Sequence, residues 1–342
     1  MVRRSLLAAV LLAVASPVSA QTMDEAVWQW SADRPDANAP VGVFGSRNLA
    51  MGETELRYRF YQRNLMGVWF GSDSLDLATT LSLYNDAPTQ LSDIRHQAHF
   101  AYGLSDDLTV IARGEFAIMN RETVANNGLL RTGVEDLGDL EVGALYRVIA
   151  TGPYRLQLQA GAMIPIGASQ TMADTTAAQS GAMVTQPYDM RPGAGSVGLI
   201  AGIGGVVQNE FGSVGAQFRL RRYLNNNSNG YRVGDEYQAN GWAAYNINQQ
   251  FSVSMGVRWK IWDSISGTDT SLNSVGDPHN SGALLAGQRA MMPVGINFRL
   301  PDDSQLAGHM LSLEAVYTMH HDYEGPQLGL DWGLSFGWTV AF

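Results

Sequence analysis

The sequence predicts an all-β protein: a transmembrane antiparallel up-and-down β-barrel of about twelve strands behind an N-terminal signal peptide. Three observations carry that expectation. The chain is 45% hydrophobic but only 16% charged, where an ordinary soluble domain carries about 25% charged residues. No apolar run after residue 20 is long enough for a membrane helix. From about Glu53 onward, segments of alternating apolar and polar residues are separated by connections that are short and long in turn until the final pair, 301–308 and 320–327, which are equal in length.

The first twenty residues read as a secretory signal. Arg3 and Arg4 give the positive start, Leu6 to Val14 the apolar core, and Val18-Ser19-Ala20 the small residues of a cleavage site. Residues 21–52 fall outside the alternation and hold Trp28, Trp30, Pro35 and Pro40. They read as a periplasmic lead-in, which the sequence favours, or as a segment folding into the lumen. The barrel then occupies 53–342.

The closing segment alternates most clearly. Leu328, Leu330, Trp332, Leu334, Phe336, Trp338, Val340 and Phe342 share one face, and Asp331, Gly333, Ser335, Gly337 and Thr339 share the other. Upstream, Val214, Ala216, Phe218 and Leu220 oppose Ser213, Gln217, Arg219 and Arg221. Phe251, Val253, Met255 and Val257 oppose Ser252, Ser254, Arg258 and Lys260. The predicted strands are 53–66, 90–102, 108–119, 138–149, 154–166, 195–208, 213–223, 236–247, 251–262, 287–300, 309–319 and 328–342. The short turns between them fall on the periplasmic side and the long loops, 120–137, 167–194 and 263–286 among them, on the outer side.

Energetics decide which face meets lipid. A basic side chain at the bilayer midplane costs about 2–4 kcal/mol, so the charged faces must line the interior. By parity the lumen-lining residues are Arg57, Arg59, Arg113, Glu115, Glu141, Arg219, Arg221, Arg258, Lys260, Arg289, Arg299, Glu314 and Asp331, with Glu55 beside them. Two readings of this wall stay open. Arg–carboxylate pairs could close the lumen as a structural plug, or a charged pore wall could orient solutes.

With the segments placed, the chain resembles a family of outer-membrane transporters grouped with proteins of the meta-pathway of phenol degradation. The matching pieces run from Ala39-Pro40-Val41-Gly42-Val43 through Tyr58-Arg59-Phe60, Tyr102-Gly103, Gly138-Asp139 and Ile164-Pro165-Ile166-Gly167. They continue through Gly230-Tyr231-Arg232 and Gly325-Pro326-Gln327 to Gly337-Trp338 and Ala341-Phe342. The resemblance implies an outer-membrane transporter or narrow channel for small solutes, hydrophobic or aromatic compounds among them. Relatives often carry a His- and Met-rich cluster where this chain has Phe44-Gly45-Ser46-Arg47-Asn48, so a metal-linked role does not carry over.

Other chemistry is weakly supported. Asn226-Asn227-Ser228-Asn229-Gly230 is similar to the His-x-Ser-Asn-Gly motif of an outer-membrane phospholipase, but Asn226 stands where the base belongs and cannot take a serine proton. The segment is a good turn former, and the chain is read as no enzyme, with no catalytic residue and no cofactor. His320 and His321, like His96 and His99, point to opposite sides of a strand and make no metal site. Asp269 and Asp277 do not repeat in the spacing of a calcium loop and read as solvated loop charge. The chain has no cysteine, which removes disulfides and thiolate chemistry. A net charge of -10 without a basic stripe argues against nucleic acid.

The expected location is the outer membrane of a Gram-negative cell, with lipid and lipopolysaccharide as surroundings and a small-molecule solute as partner. The alternative is a structural or partner-binding barrel with a plugged lumen. The last predicted strand, 328–342, ends on Phe342 and resembles the closing strand of outer-membrane barrels, which implies recognition by the barrel-assembly machinery; an aromatic residue there also suits an interfacial anchor. Deleting Phe342 should lower assembly in cells far more than refolding into lipid vesicles, measured as the heat-modifiable folded fraction. Equal loss in both settings would leave only the anchoring role.

Overall fold

The computed structural model describes residues 28–125, 128–174, 183–301 and 303–342, so the signal at 1–20 lies outside the described residues. Its strands are β1 (Thr54–Gly71), β2 (Asp73–Leu75), β3 (Asp86–Gly103), β4 (Leu108–Ala125), β5 (Gly128–Leu137) and β6 (Leu140–Thr151). Next come β7 (Tyr154–Ile164), β8 (Met172–Asp174), β9 (Met183–Thr185), β10 (Gly198–Gln208), β11 (Gly212–Tyr223) and β12 (Tyr231–Arg232). The last are β13 (Glu236–Asn246), β14 (Phe251–Trp262), β15 (Ser266–Gly267), β16 (Gly287–Arg299) and β17 (His309–Ala341). Eleven elements form the wall in the order β1, β3, β4, β6, β7, β10, β11, β13, β14, β16, β17, and β17 pairs with β1 to close it. Every pairing is antiparallel. Among the described residues no helix is long and apolar enough to cross a membrane.

The element β17 has 33 residues. At about 3.3 Å per residue a single strand of that length would run roughly 110 Å, far beyond a hydrocarbon core of about 30 Å. Its pairing resolves the excess. Its first half pairs with β16 from Met310 to Tyr323, and its second half pairs with β1 from Tyr323 to Ala341. Both ends therefore return to the same rim, where Trp338 Nε1 donates to His309 Nδ1 at 2.9 Å. The run doubles back near Tyr323 and counts as two staves, which makes the wall twelve-stranded as the sequence predicts.

Closure is complete at the rim. Thr54 and Phe342 exchange backbone hydrogen bonds at 2.8 and 3.0 Å, and register holds from Glu55↔Ala341 to Asn64↔Trp332. The expected pairing of 53–66 with 328–342 is present. Tight turns close the same end, including Asn209 N to Gly212 O at 2.8 Å and Ile247 N to Phe251 O at 2.9 Å.

Parity follows the sequence through most of the wall. Val214, Ala216, Val253, Met255 and Val257 are exposed on the outside, while Gln217, Arg219, Ser252, Ser254 and Arg258 are buried within. The closing strand departs from it near its start. Between Asn64/Leu65 and Met66/Val68 the register slips. A bulge of one residue reverses the faces beyond it, so Leu328 and Leu330, assigned to lipid, are each 3% exposed in an interior cluster. Asp331, assigned to the lumen, sits in the slip and is exposed.

At the long-loop end the wall continues beyond the predicted spans. The segment 120–137, read as a loop, is mostly β4 and β5, which pair from Phe116↔Leu137 to Ala125↔Gly128. Its polar residues on both faces suit a hairpin standing in water above the bilayer. The larger revision lies inside. Residues 35–49, read in preference as a lead-in beneath the barrel, run through its lumen, with Pro35 to Val41 buried.

Phe218 faces outward at mid-strand, opposite Ile203 and Ala239. Phe218→Arg should destabilise the barrel by about 2–4 kcal/mol in a lipid-bilayer unfolding titration. Phe218→Leu should cost well under half as much. Equal costs would place this face away from lipid.

Candidate functional site

The lumen is filled in layers, and the lowest is the chain's own N-terminal segment. Trp30 N donates to Gly152 O at the rim, at 3.2 Å. From there the wall holds the segment by its backbone. Ser213 Oγ donates to Asp36 O at 2.7 Å and Asn297 Nδ2 to Pro35 O at 3.0 Å. Gln217 Nε2 donates to Phe44 O at 2.7 Å and Gln157 Nε2 to Gly45 O at 2.6 Å. Leu49 N then donates to Thr109 Oγ1 at 2.9 Å before the chain enters β1.

Glycine permits the closest approach. A Cβ at Gly42 would stand 2.0 Å from Arg258 Nη2 and 2.4 Å from Glu314 Oε1, so any larger residue would have to push the ends of that ion pair aside. Gly45 turns the chain back with φ of 66°, a left-handed value that costs glycine little. Between them Phe44 enters a pocket of Leu49, Ala101, Ile111 and Leu145. The Arg113 and Arg219 guanidinium carbons lie 4.7 and 5.2 Å from its ring centroid, and the His99 ring meets it edge-on at 4.9 Å. A cavity of about 150 Å³ remains at the rim, lined by Arg34, Arg47, Glu53 and Arg299 among others.

Above the plug lies a belt of charge. Glu141 is shared by Arg113 at 2.6 Å, Arg221 at 3.3 Å and Arg219. Arg258 pairs with Glu314 at 3.1 Å and Lys260 with Glu236 at 2.6 Å. Arg57 pairs with Glu55 at 3.2 Å. Asp93 binds Arg63 and Arg95, and Arg95 also binds Glu115. Arg289 donates to the Tyr323 hydroxyl at 3.1 Å, and Arg59 to Ser335 at 2.8 Å. Asp139 accepts from Gly167 N and Ala194 N. The basic side chains named for this belt number ten and the acidic ones seven, so the belt is cationic in a chain of net charge -10. Several donors have no acceptor: Arg57 Nε, Arg59 Nε and Arg289 Nε are buried without a hydrogen-bond partner.

Higher still the lumen turns apolar. Leu65, Leu91, Met119, Met291, Val316 and Leu330 cluster there around Met190, which the segment 183–197 inserts. Beside Met190 the loops lock to the wall. Arg121 Nη2 meets Asp277 Oδ2 at 2.7 Å, and its Nε lies 3.4 Å from Asp189 Oδ2. The His279 Nε2 atom lies 3.3 Å from Leu328 N, whose proton it accepts. Its other nitrogen, Nδ1, lies 2.8 Å from Asp189 Oδ2 and 3.0 Å from Arg121 Nη2. Arg191 pairs with Asp269 at 2.9 Å beneath Tyr188 and Tyr231.

The structure brings together most of the residues that parity assigns to the lumen. Arg57, Arg59, Arg113, Glu115, Glu141, Arg219, Arg221, Arg258, Lys260, Arg289 and Glu314 share the belt. Arg299 instead sits at the rim, 3.4 Å from Asp33, and Asp331 is absent from the belt. Parity also reaches Arg63, Asp93, Arg95 and Glu236, which the sequence reading left out. Asp269 and Asp277 are not solvated loop charge, since each is buried against an arginine. His96 and His99 do part to opposite faces. His96 Nδ1 lies 2.6 Å from the Tyr58 hydroxyl, while His99 lies against Phe44 inside. Asn227 folds its own loop, accepting from Asn229 N and Tyr231 N. No group of metal-binding character occurs among the described residues.

No protein-family model matches the chain, and no curated relative matches it. Among solved structures it is similar to an outer membrane channel from Pseudomonas putida F1. The two are 12% identical over 88% of this chain and 99% of that one, with a TM-score of 0.58. The P. putida toluene transporter TodX is 11% identical over 85% of this chain and 90% of that one, with a TM-score of 0.43. The KdgM porin is 8% identical over 84% and 99%, with a TM-score of 0.39. At such identities the first likeness speaks for the fold. With the apolar outer face, it defines the class: an outer-membrane β-barrel.

Asp189 gives the lid that the loops form over the lumen, at Met190, Asp277 and His279, a pH dependence. Burial opposes its charge, but Arg121 and His279 outweigh that and hold its carboxyl at about 2, below the ordinary 3.8. A depressed carboxyl stabilises the docked loop above its unfolded pKa, and the contribution is lost as pH falls through the folded value. Pepsin cleavage within 186–191 should therefore rise as pH drops from about 4 to about 2, relative to an unfolded peptide of the same sequence. Asp189→Asn should remove that dependence, and a variant with the parent's pH profile would assign the docking to other groups.

Proposed function

We propose that the chain is an outer-membrane transporter or narrow channel for small solutes, closed in this conformation by its N-terminal plug. The observation that carries the reading is what fills the lumen. Wall side chains alone could seal a small barrel, yet here the periplasmic half is occupied by a separate segment, residues 35–49. That segment is held mainly by hydrogen bonds from neutral wall side chains to its backbone. It can leave without breaking a single strand pairing. Behind it stands a cationic wall of the kind that orients solutes. The resemblance to transporters grouped with the meta-pathway of phenol degradation supports hydrophobic or aromatic compounds as the solutes. The reading assigns no catalysis, and it places the barrel-assembly machinery and outer-membrane lipid as partners.

A structural or partner-binding barrel is the second reading, and the lid favours it, because the segments 183–197 and 263–286 also reach inward. Single-channel recording in planar bilayers separates the two. Replacing residues 36–46 by a flexible linker of the same length should raise conductance several-fold and speed solute entry into loaded vesicles. If the replaced barrel conducts no more than the parent, the lumen is a structural seal.

A further inference from the structure

Phe44 sits in a site with more chemistry than a phenylalanine can use. The apolar side of its pocket, Leu49, Ala101, Ile111 and Leu145, suits a phenyl ring. The other side is cationic. Arg113 and Arg219 lie against the ring, and both share the single carboxylate of Glu141 with Arg221. His99 faces Arg57 across one strand pair and Arg113 across the next. Both of its ring nitrogens are buried without a partner, as is Arg57 Nε. One row of wall residues thus presents unmatched hydrogen-bonding groups and surplus positive charge to the ring that Phe44 inserts. A hydrocarbon ring satisfies the cations only through its π face, a weaker interaction than a charge-assisted hydrogen bond.

We propose that this pocket is a binding site for a small aromatic anion, a single ring bearing a carboxylate, and that Phe44 is its internal competitor. The inference rests on the transporter reading and names the solute class for that same lumen. The carboxylate offers acceptors only, which is what Arg57 Nε lacks and what Arg113 and Arg219 otherwise find in the one shared carboxylate of Glu141, and the ring takes the place of the Phe44 phenyl. Such a ligand gains both halves of the site, where the plug gains one. A neutral aromatic gains no more than Phe44 already does, and an aliphatic acid gives up the apolar wall. Neither should displace the plug. Because Phe44 is tethered to residues 42–49, its departure frees the segment that closes the periplasmic half, so ligand binding and opening are coupled.

The test is calorimetric titration of the full-length folded barrel in detergent with benzoate, acetate and benzyl alcohol. Phe44→Ala empties the pocket from the plug side and leaves the wall intact. It should bind benzoate about tenfold more tightly than the parent, because the internal competitor no longer reduces the competent fraction. Acetate and benzyl alcohol should bind far more weakly than benzoate to both. Phe44→Leu, which keeps apolar volume but loses the ring, should show the same ranking with a smaller gain. Adding Arg113→Gln to Phe44→Ala should abolish the preference for benzoate over benzyl alcohol. Benzoate binding no better to Phe44→Ala and Phe44→Leu than to the parent would overturn the proposal, as would acetate or benzyl alcohol matching benzoate. Failure here is distinguishable from failure of the transporter reading. A linker-replaced barrel that conducts but shows no benzoate preference is a channel without this site, and one that does not conduct is no channel.

Discussion

Hydrocarbon offers no hydrogen-bond partner to a peptide group, and each group left unmatched in it costs several kcal/mol. The contact that meets this condition for the whole chain is the seam between β1 and the second half of β17. Thr54 and Phe342 exchange hydrogen bonds there, and ten further residue pairs follow in unbroken register up to Asn64↔Trp332. Residues 268 to 288 positions apart in sequence must find each other before either has an internal partner on that side. Once the seam forms, the outer surface is fixed as apolar and the charges have one place to go.

Confinement then governs the interior. The wall concentrates its inward guanidinium groups in a cylinder where water is scarce, and unpaired charge there is expensive. Sharing solves most of the problem: Glu141 serves three arginines, and Asp93 serves two. It does not solve all of it, because the basic groups of the belt outnumber the acidic ones. A barrel built only to be stable could have replaced the surplus arginines by apolar residues, often at no loss. Their retention beside unpartnered nitrogens is the mark of a surface that meets something besides itself.

The sequence discloses the wall because strand periodicity is local. Period two and the cost of charge in lipid assign Arg219 and Phe218 to opposite faces with no knowledge of the neighbours. The same logic fails wherever a bulge intervenes, and it fails in one direction: Leu328, Leu330 and Asp331 are misassigned together because a slip opposite Asn64 and Met66 turns the strand. The plug was illegible for a different reason. Pro35 to Asn48 has no periodicity, and the hydrogen bonds that seat it come from Gln157, Gln217, Ser213 and Asn297, which look like ordinary polar lining. Its one signature, Gly42 and Gly45 flanking Val43-Phe44, acquires meaning only when the Arg258–Glu314 ion pair is seen to lie where a Cβ of residue 42 would stand. The lid was hidden likewise, since Asp189 lies in one loop and Asp277 and His279 in another, and the two come together beside Arg121.

The two closures of the lumen differ in how they are held, and that difference orders their release. The lid is fastened by ion pairs at Arg121 and Arg191, which a buried setting makes costly to break one partner at a time. The plug is fastened mostly by neutral amides and hydroxyls donating to its carbonyls, each worth about 1 kcal/mol net because water can take over the acceptor. Its apolar contribution is concentrated in a few side chains, Phe44 and Leu49 above all. A segment of this kind belongs to the low end of local stability, where opening occurs without unfolding the wall. The wall itself contributes nothing that must change, since no strand pairing involves residues 28–52. The plug is therefore the movable part of this barrel, and what can replace its one buried ring decides when it moves.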